Sequence, residues 1–239
     1  MATPASGPVP ESNPLIDTFF SPAAAMDALA RRPRFVLPLL IVTVIGVATM
    51  TVAFQRGVVE RGIRQKMESN PRFEQVPADR REAIIEQSAR IGSYTAVGGA
   101  VVGPLIGLLL TSGVLLLVIT VTGGGAKVKF GQMMAVVSHS WLPLSLASLI
   151  GIPILLAKDP EAVDFQNILP MANLSFLFSS TEQHKLYMAA TSFDLFSFWV
   201  MGLMAIGIAR LTGKGMGAAL MVILIQWALY VAIFKVWLG

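Results

Sequence analysis

The sequence predicts an all-α polytopic membrane protein, a bundle of five transmembrane helices with an N-terminal interfacial helix and a helical first loop. Three observations carry this. Hydrophobic residues make up 54 % of the 239 and charged residues only 13 %, where a soluble domain carries about 25 % charge. Mean hydropathy is +0.68. The apolar residues also gather into runs as long as a helix needs to cross roughly 30 Å of hydrocarbon at 1.5 Å per residue. The clearest are 188–209 (MAATSFDLFSFWVMGLMAIGIA) and 216–238, joined by a short turn carrying Arg210 and Lys214. Two such runs so closely linked must lie antiparallel and adjacent.

Composition also excludes several functions. There is no cysteine, which removes disulfides, thiolate catalysis and thiolate-bound metals. The net charge of +4 is spread along the loops, which suits anionic lipid headgroups better than nucleic acid. The first apolar run begins only at Phe35 and has no small-residue cleavage site after it, so no cleaved signal peptide is expected.

Residues 1–14 are small, polar and proline-rich and are predicted to form a disordered tail, leaving 15–239 as a single membrane domain. Ser21 and Pro22 suit the cap and first position of a short helix. Met26, Leu29 and Ala30 share one face of it, and Arg31, Arg32 and Arg34 close it. Such a helix is expected in the interface, apolar side towards lipid. The first span, 35–54, has no charge and holds Pro38 in its first turn.

The stretch 55–92 carries eight basic and six acidic residues and is expected to form short helices extending the first two spans. Asp79 followed by Glu82 predicts a capping box. The second span, 93–122, is long enough to need a tilt. Gly99, Gly103 and Gly107 recur at four-residue spacing and leave one stripe of nearly bare backbone. That stripe allows close helix approach, first of all within the bundle and otherwise in self-association or with other membrane proteins.

The third span, 130–157, contains Pro143 and Pro153, with Ser138, Ser140, Ser145 and Ser148 close enough to bond the freed carbonyls. A thirty-residue loop follows, 158–187, with Phe176, Leu177 and Phe178 expected on the bilayer. Asn173 heads a three-residue glycosylation match that carries little weight. Five spans put the termini on opposite sides. With the N-terminus inside, cytoplasmic segments hold seven basic residues and the opposite side eleven, eight of them in the first loop. The positive-inside count alone opposes that orientation.

Taken in order, FFSPxxxxxxLxxxP from Phe19, KVKFGQ from Lys127, Pro143 and FDLFSFW from Phe193 resemble the Yip family, the Ypt/Rab-interacting-protein-like five-span membrane proteins, and its bacterial branch in particular. On that resemblance Phe130 and Gln132 match the start of the family's third span. Pro143 matches its intramembrane proline, and Asp194, Leu195 and Trp199 match its fourth span. Ser138-His139 stands where many relatives have Gly-Tyr. The resemblance implies a cytoplasmic N-terminus, here in the cell membrane (the inner membrane of a Gram-negative cell). In eukaryotic relatives it implies small-GTPase partners, which do not transfer to a bacterial chain.

Asp194, His139 and Gln226 are the candidate intramembrane polar site. An ionised carboxylate at a helix centre costs about 2.5–3.5 kcal/mol on insertion scales, so Asp194 needs a partner. A hydrogen bond to a neighbouring helix end is the first expectation, a proton or ligand role the second. His139 reads as a hydrogen-bonded packing residue before a titrating one, and Gln226 as an interhelical link. Trp141, Trp199, Trp227 and Trp237 read as interface anchors and packing residues. No nucleophile elbow, phosphate loop, Rossmann glycine pattern or paired intramembrane carboxylates occur. The expected function is therefore non-enzymatic membrane organisation or adaptation, without cofactor or metal. The alternative is a small permease or lipid-handling protein using Asp194 and His139.

Overall fold

The computed structural model describes residues 13–70, 72–123, 127–160, 163, 173–179 and 182–237. Most of the expected N-terminal tail therefore lies outside the described residues, as do 161–162, 164–172 and 180–181 of the long loop. Five helices are long and apolar enough to cross a membrane: Val36–Gln55, Ala78–Val121, Phe130–Ala157, Leu195–Thr212 and Met216–Trp237. The chain is a multi-pass membrane helical bundle.

Helix α1 (Pro14–Phe20) begins inside the expected tail. Asn13 caps it, accepting the Leu15 N–H at 3.2 Å, with Pro14 in the first turn. An Asn-Pro pair is a helix start as readable as Ser21-Pro22, and it contradicts a tail running to residue 14. Helix α2 (Pro22–Arg31) starts where the sequence places it, but the Ser21 side chain makes no capping bond. Its apolar face also departs from expectation. Met26 and Leu29 are fully buried against Ala135, Val136 and Leu203. The face meets protein rather than lipid, while Arg31 and Arg32 stay exposed at the helix end.

Helix α3 (Val36–Gln55) is the first span. Its Thr49 and Thr51 hydroxyls bond carbonyls four residues back, at 2.9 and 2.8 Å, so each satisfies itself within the helix, as a span in oil requires. Gly57, at φ +66, turns the chain into α4 (Val58–Glu68), a left-handed conformation that a side chain would strain. Helix α5 (Ala78–Val121) is a single 44-residue helix, about 66 Å long, so roughly half of it extends beyond the hydrocarbon. The expected capping box is absent. Pro77 occupies the cap, and Glu82 instead receives both Arg64 guanidinium nitrogens from α4, at 2.8 and 3.0 Å. A bidentate charged pair is stronger than a bond to one backbone N–H, and it holds the Glu82 carboxyl below its ordinary pKa.

The third span is two helices, α6 (Phe130–Ser140) and α7 (Leu142–Ala157), jointed at Trp141 with Pro143 in the first turn of α7. Proline lacks the N–H that would have bonded the His139 carbonyl. The serines do not supply it. Ser138 and Ser140 bond Ala135 and Val136 carbonyls within α6, and the buried Ser145 hydroxyl has no partner among the described residues.

After a 3-10 turn (Leu174–Leu177) and α8 (His184–Ala190) come α9 (Leu195–Thr212) and α10 (Met216–Tyr230), which continues as a π-helix to Trp237. The fourth span is therefore shorter than 188–209 at its start, because Thr191–Asp194 break it. Phe176 and Leu177 are exposed, as a loop resting on lipid requires. Asn173 is buried and caps the 3-10 turn, a poor glycosylation acceptor. The main core joins α5, α6, α9 and α10 through Leu108, Leu115, Met133, Val137, Met204, Ile208 and Ile223.

Candidate site: the seam that holds the N-terminal helices

Two of the family-motif residues, Gln132 and Trp199, reach the N-terminal helices, which lie over α6 and α9. Gln132, in the first turn of α6, uses both ends of its amide. Its Oε1 accepts the Lys129 N–H at 2.9 Å, capping α6, and its Nε2 donates to the Ala30 carbonyl at 2.6 Å, capping α2. One side chain thus satisfies an orphan group at each of two helix ends. Along the same seam Trp199 of α9 meets Phe19 edge-on, ring centroids 5.8 Å apart, and Arg210 pairs with Asp27 at 3.5 Å. That pair is about half exposed and worth at most about 1 kcal/mol. The apolar contact of Met26 and Leu29 carries more, about 1.5–3 kcal/mol per fully buried side chain.

Gly207 sets the depth of this seam. A Cβ there would lie 2.3 Å from Val136 Cγ1 and 3.0 Å from Cγ2, so only glycine lets α9 approach α6 this closely. On the same membrane side Lys214 Nζ donates to the Thr122 carbonyl at 2.7 Å. At the other end Arg56 donates to the Lys158 carbonyl at 2.6 Å. Each pairing puts a cation on a helix C-terminus, where the peptide dipole favours it.

A family model for the Yip1 domain matches residues 16–238. The chain belongs to the Yip family. No curated protein and no solved structure matches it.

In this Yip protein the candidate polar residues do not converge. Asp194 is the N-cap of α9. Its Oδ1 accepts the N–H groups of Phe196 and Ser197 at 2.9 and 3.0 Å, and its Oδ2 accepts the Ser197 hydroxyl. Its partner is the start of its own helix, not a neighbouring one. His139, 2 % exposed, donates from Nδ1 to the Ala135 carbonyl one turn back, at 2.9 Å. The half-buried Gln226 amide has no hydrogen-bond partner among the described residues, so the expected interhelical link is not made. Phe130 and Leu195, each first in its helix, are exposed, while Pro143 is buried at the α6–α7 joint.

The glycine stripe divides. Gly107 takes Trp141, whose Cη2 would lie 3.3 Å from an added Cβ, whereas Gly99 and Gly103 are exposed with nothing within 4 Å. The expected contact inside the bundle therefore exists only at its Gly107 end. Three of the four tryptophans pack, Trp141 on Gly107, Trp199 on Phe19 and Trp227 on Phe193 at 4.8 Å, and Trp237 is exposed. Among the described residues no three of His, Asp and Glu lie together as a metal site would need.

The α2 seam escaped the sequence reading because an amphipathic helix before a first span fits lipid and protein equally well. The signal that separates them is Gln132, a polar residue in the first turn of a span with no local partner except its own cap.

If Gln132 holds two helix ends, Gln132→Ala should cost about 2 kcal/mol, about 1 for each bond. Amide hydrogen exchange in α2 should quicken. Gln132→Glu keeps the acceptor for Lys129 but sets a carboxylate against the Ala30 carbonyl. It should preserve α6 protection and lose that of α2.

Proposed function

We propose that this Yip protein is a non-enzymatic membrane-organising or adaptor protein, placed in the cell membrane with its N-terminus in the cytoplasm. The observation that carries the reading is how the intramembrane polar groups are spent. Asp194 and His139, the two residues best suited to acid–base work, both satisfy backbone groups of their own helices. What is left for contact with other molecules is surface. One such surface is the outward face of α5, where Gly99 and Gly103 expose backbone to an approaching helix, as close packing in lipid requires. The other is the charged α4–α5 arm.

The permease alternative needs Asp194 and His139 to face a substrate path. The jointed third span favours a broken-helix pathway, but the Asp194 carboxylate already receives three donors. If Asp194→Asn and His139→Ala abolished a flux in reconstituted vesicles, the permease reading would replace the adaptor one.

Gly99→Ile with Gly103→Ile tests the adaptor reading. Among the described residues no neighbouring atom lies within 4 Å of a Cβ at either position, so monomer stability should change by no more than about 0.5 kcal/mol. Recovery of membrane partners, or of a second copy, by cross-linking in native membranes should fall. Undiminished recovery would remove the stripe from the proposal.

A further inference from the structure

Helices α4 and α5 pair outside the hydrocarbon and, with the end of α3, line an open cavity of about 500 Å³, a size that takes small ligands. Glu60 and Arg64 are one turn apart on α4. Glu82, Glu86 and Arg90 repeat every four residues along the facing stripe of α5. The remaining lining is Phe54, Ala89 and Ser93, where the first two spans reach the membrane surface. The cavity thus opens at the level of lipid headgroups, with an apolar side chain at its edge.

Arg64 and Glu82 neutralise each other. Among the described residues Glu60, Glu86 and Arg90 form no ion pair. Two carboxylates and one guanidinium are therefore left facing one space. An anion there satisfies Arg90 and is repelled by the carboxylates, and a simple cation does the reverse. A molecule carrying both an ammonium and a phosphate satisfies all three. A primary ammonium donates hydrogen bonds to carboxylates, and guanidinium matches phosphate geometry.

We propose that this cavity seats the headgroup of a phosphoethanolamine lipid, with its ammonium on Glu60 and Glu86 and its phosphate on Arg90. The acyl chains then run past Phe54 along α3 and α5. The seat couples the arm to the composition of the leaflet it leaves and gives the charged first loop a lipid to read.

The test is native mass spectrometry of the full chain in detergent with dioleoyl phosphatidylethanolamine, phosphatidylcholine or phosphatidylglycerol. Phosphatidylcholine has the same charges but no ammonium N–H, and phosphatidylglycerol has the phosphate alone. The ethanolamine lipid should bind about tenfold more tightly than either, the difference expected of one or two charge-assisted hydrogen bonds. In Arg90→Gln, and in Glu60→Gln with Glu86→Gln, that preference should vanish. Thermal melting should be unchanged, since these side chains are exposed and form no ion pairs. Equal binding of the ethanolamine and choline lipids, or a preference that survives both variants, overturns the proposal. Displacement of the lipid by an equal concentration of free phosphoethanolamine overturns the lipid assignment.

Discussion

Gly207→Ala should destabilise the bundle by about 2 kcal/mol, against the usual rule for a helix interior. Replacing glycine by alanine there normally stabilises by up to about 1 kcal/mol. Here the new methyl would lie 2.3, 3.0 and 3.2 Å from three carbons of Val136. Val136 is fully buried among Met26, Leu29, Ala135 and Leu203, and its branched side chain has one strongly preferred rotamer in a helix. It cannot swing away, so α9 must move off α6, and overpacking of that kind costs about 1–3 kcal/mol. The α2 helix, resting on the same residues, should loosen with it. Val136→Ala removes both offending methyls. The double variant should therefore be more stable than the two single changes summed, by about 1 kcal/mol or more. Additive effects in a denaturation titration would show that the two residues do not meet.

Gly92 provides the contrast. An added Cβ there would also lie 2.3 Å from a carbon, but that carbon is the terminal Cδ1 of the half-buried Ile63. A side-chain end can rotate aside, so Gly92→Ala should be neutral or stabilising by up to about 1 kcal/mol. The same distance gives opposite signs because one neighbour can yield and the other cannot.

Asp194→Ala should cost about 2 kcal/mol. The carboxylate accepts two backbone N–H groups and a hydroxyl at the start of a membrane-spanning helix, and it is only 9 % exposed. Losing a cap typically costs about 1 kcal/mol and up to about 2. The upper figure applies because water does not readily replace a partner in so buried a place. Asp194→Asn retains the oxygen that accepts from Phe196 and Ser197, and Asn caps as well as Asp, so its loss should be under about 1 kcal/mol.

The spans were legible because hydrocarbon imposes a length and a composition that few other structures share. The 130–157 run and the uncharged 35–54 run needed only counting. Asp194 and Gln132 were visible as polar residues in apolar surroundings, but their partners were misplaced or unseen. An N-cap looks like an intramembrane acid when the helix start is set at 188, about two turns too early, and residues 188–190 belong to α8 rather than α9. The α4–α5 cavity was not legible at all. Its charges lie up to thirty positions apart, and only the pairing of two arms brings them together. The spacing of the glycines marks a stripe, but which side of α5 faces the bundle depends on where Trp141 lands, and it lands at Gly107.

Asp194 ends a helix and Gln132 joins two. The most direct test compares the unfolding of Asp194→Asn and Asp194→Ala with that of the unaltered chain in the same detergent. Asn should stay within about 1 kcal/mol of the parent while Ala falls by about 2. Equal losses in the two variants would show that the charge of Asp194, not its capping oxygen, is what the fold needs, and would contradict the capping role.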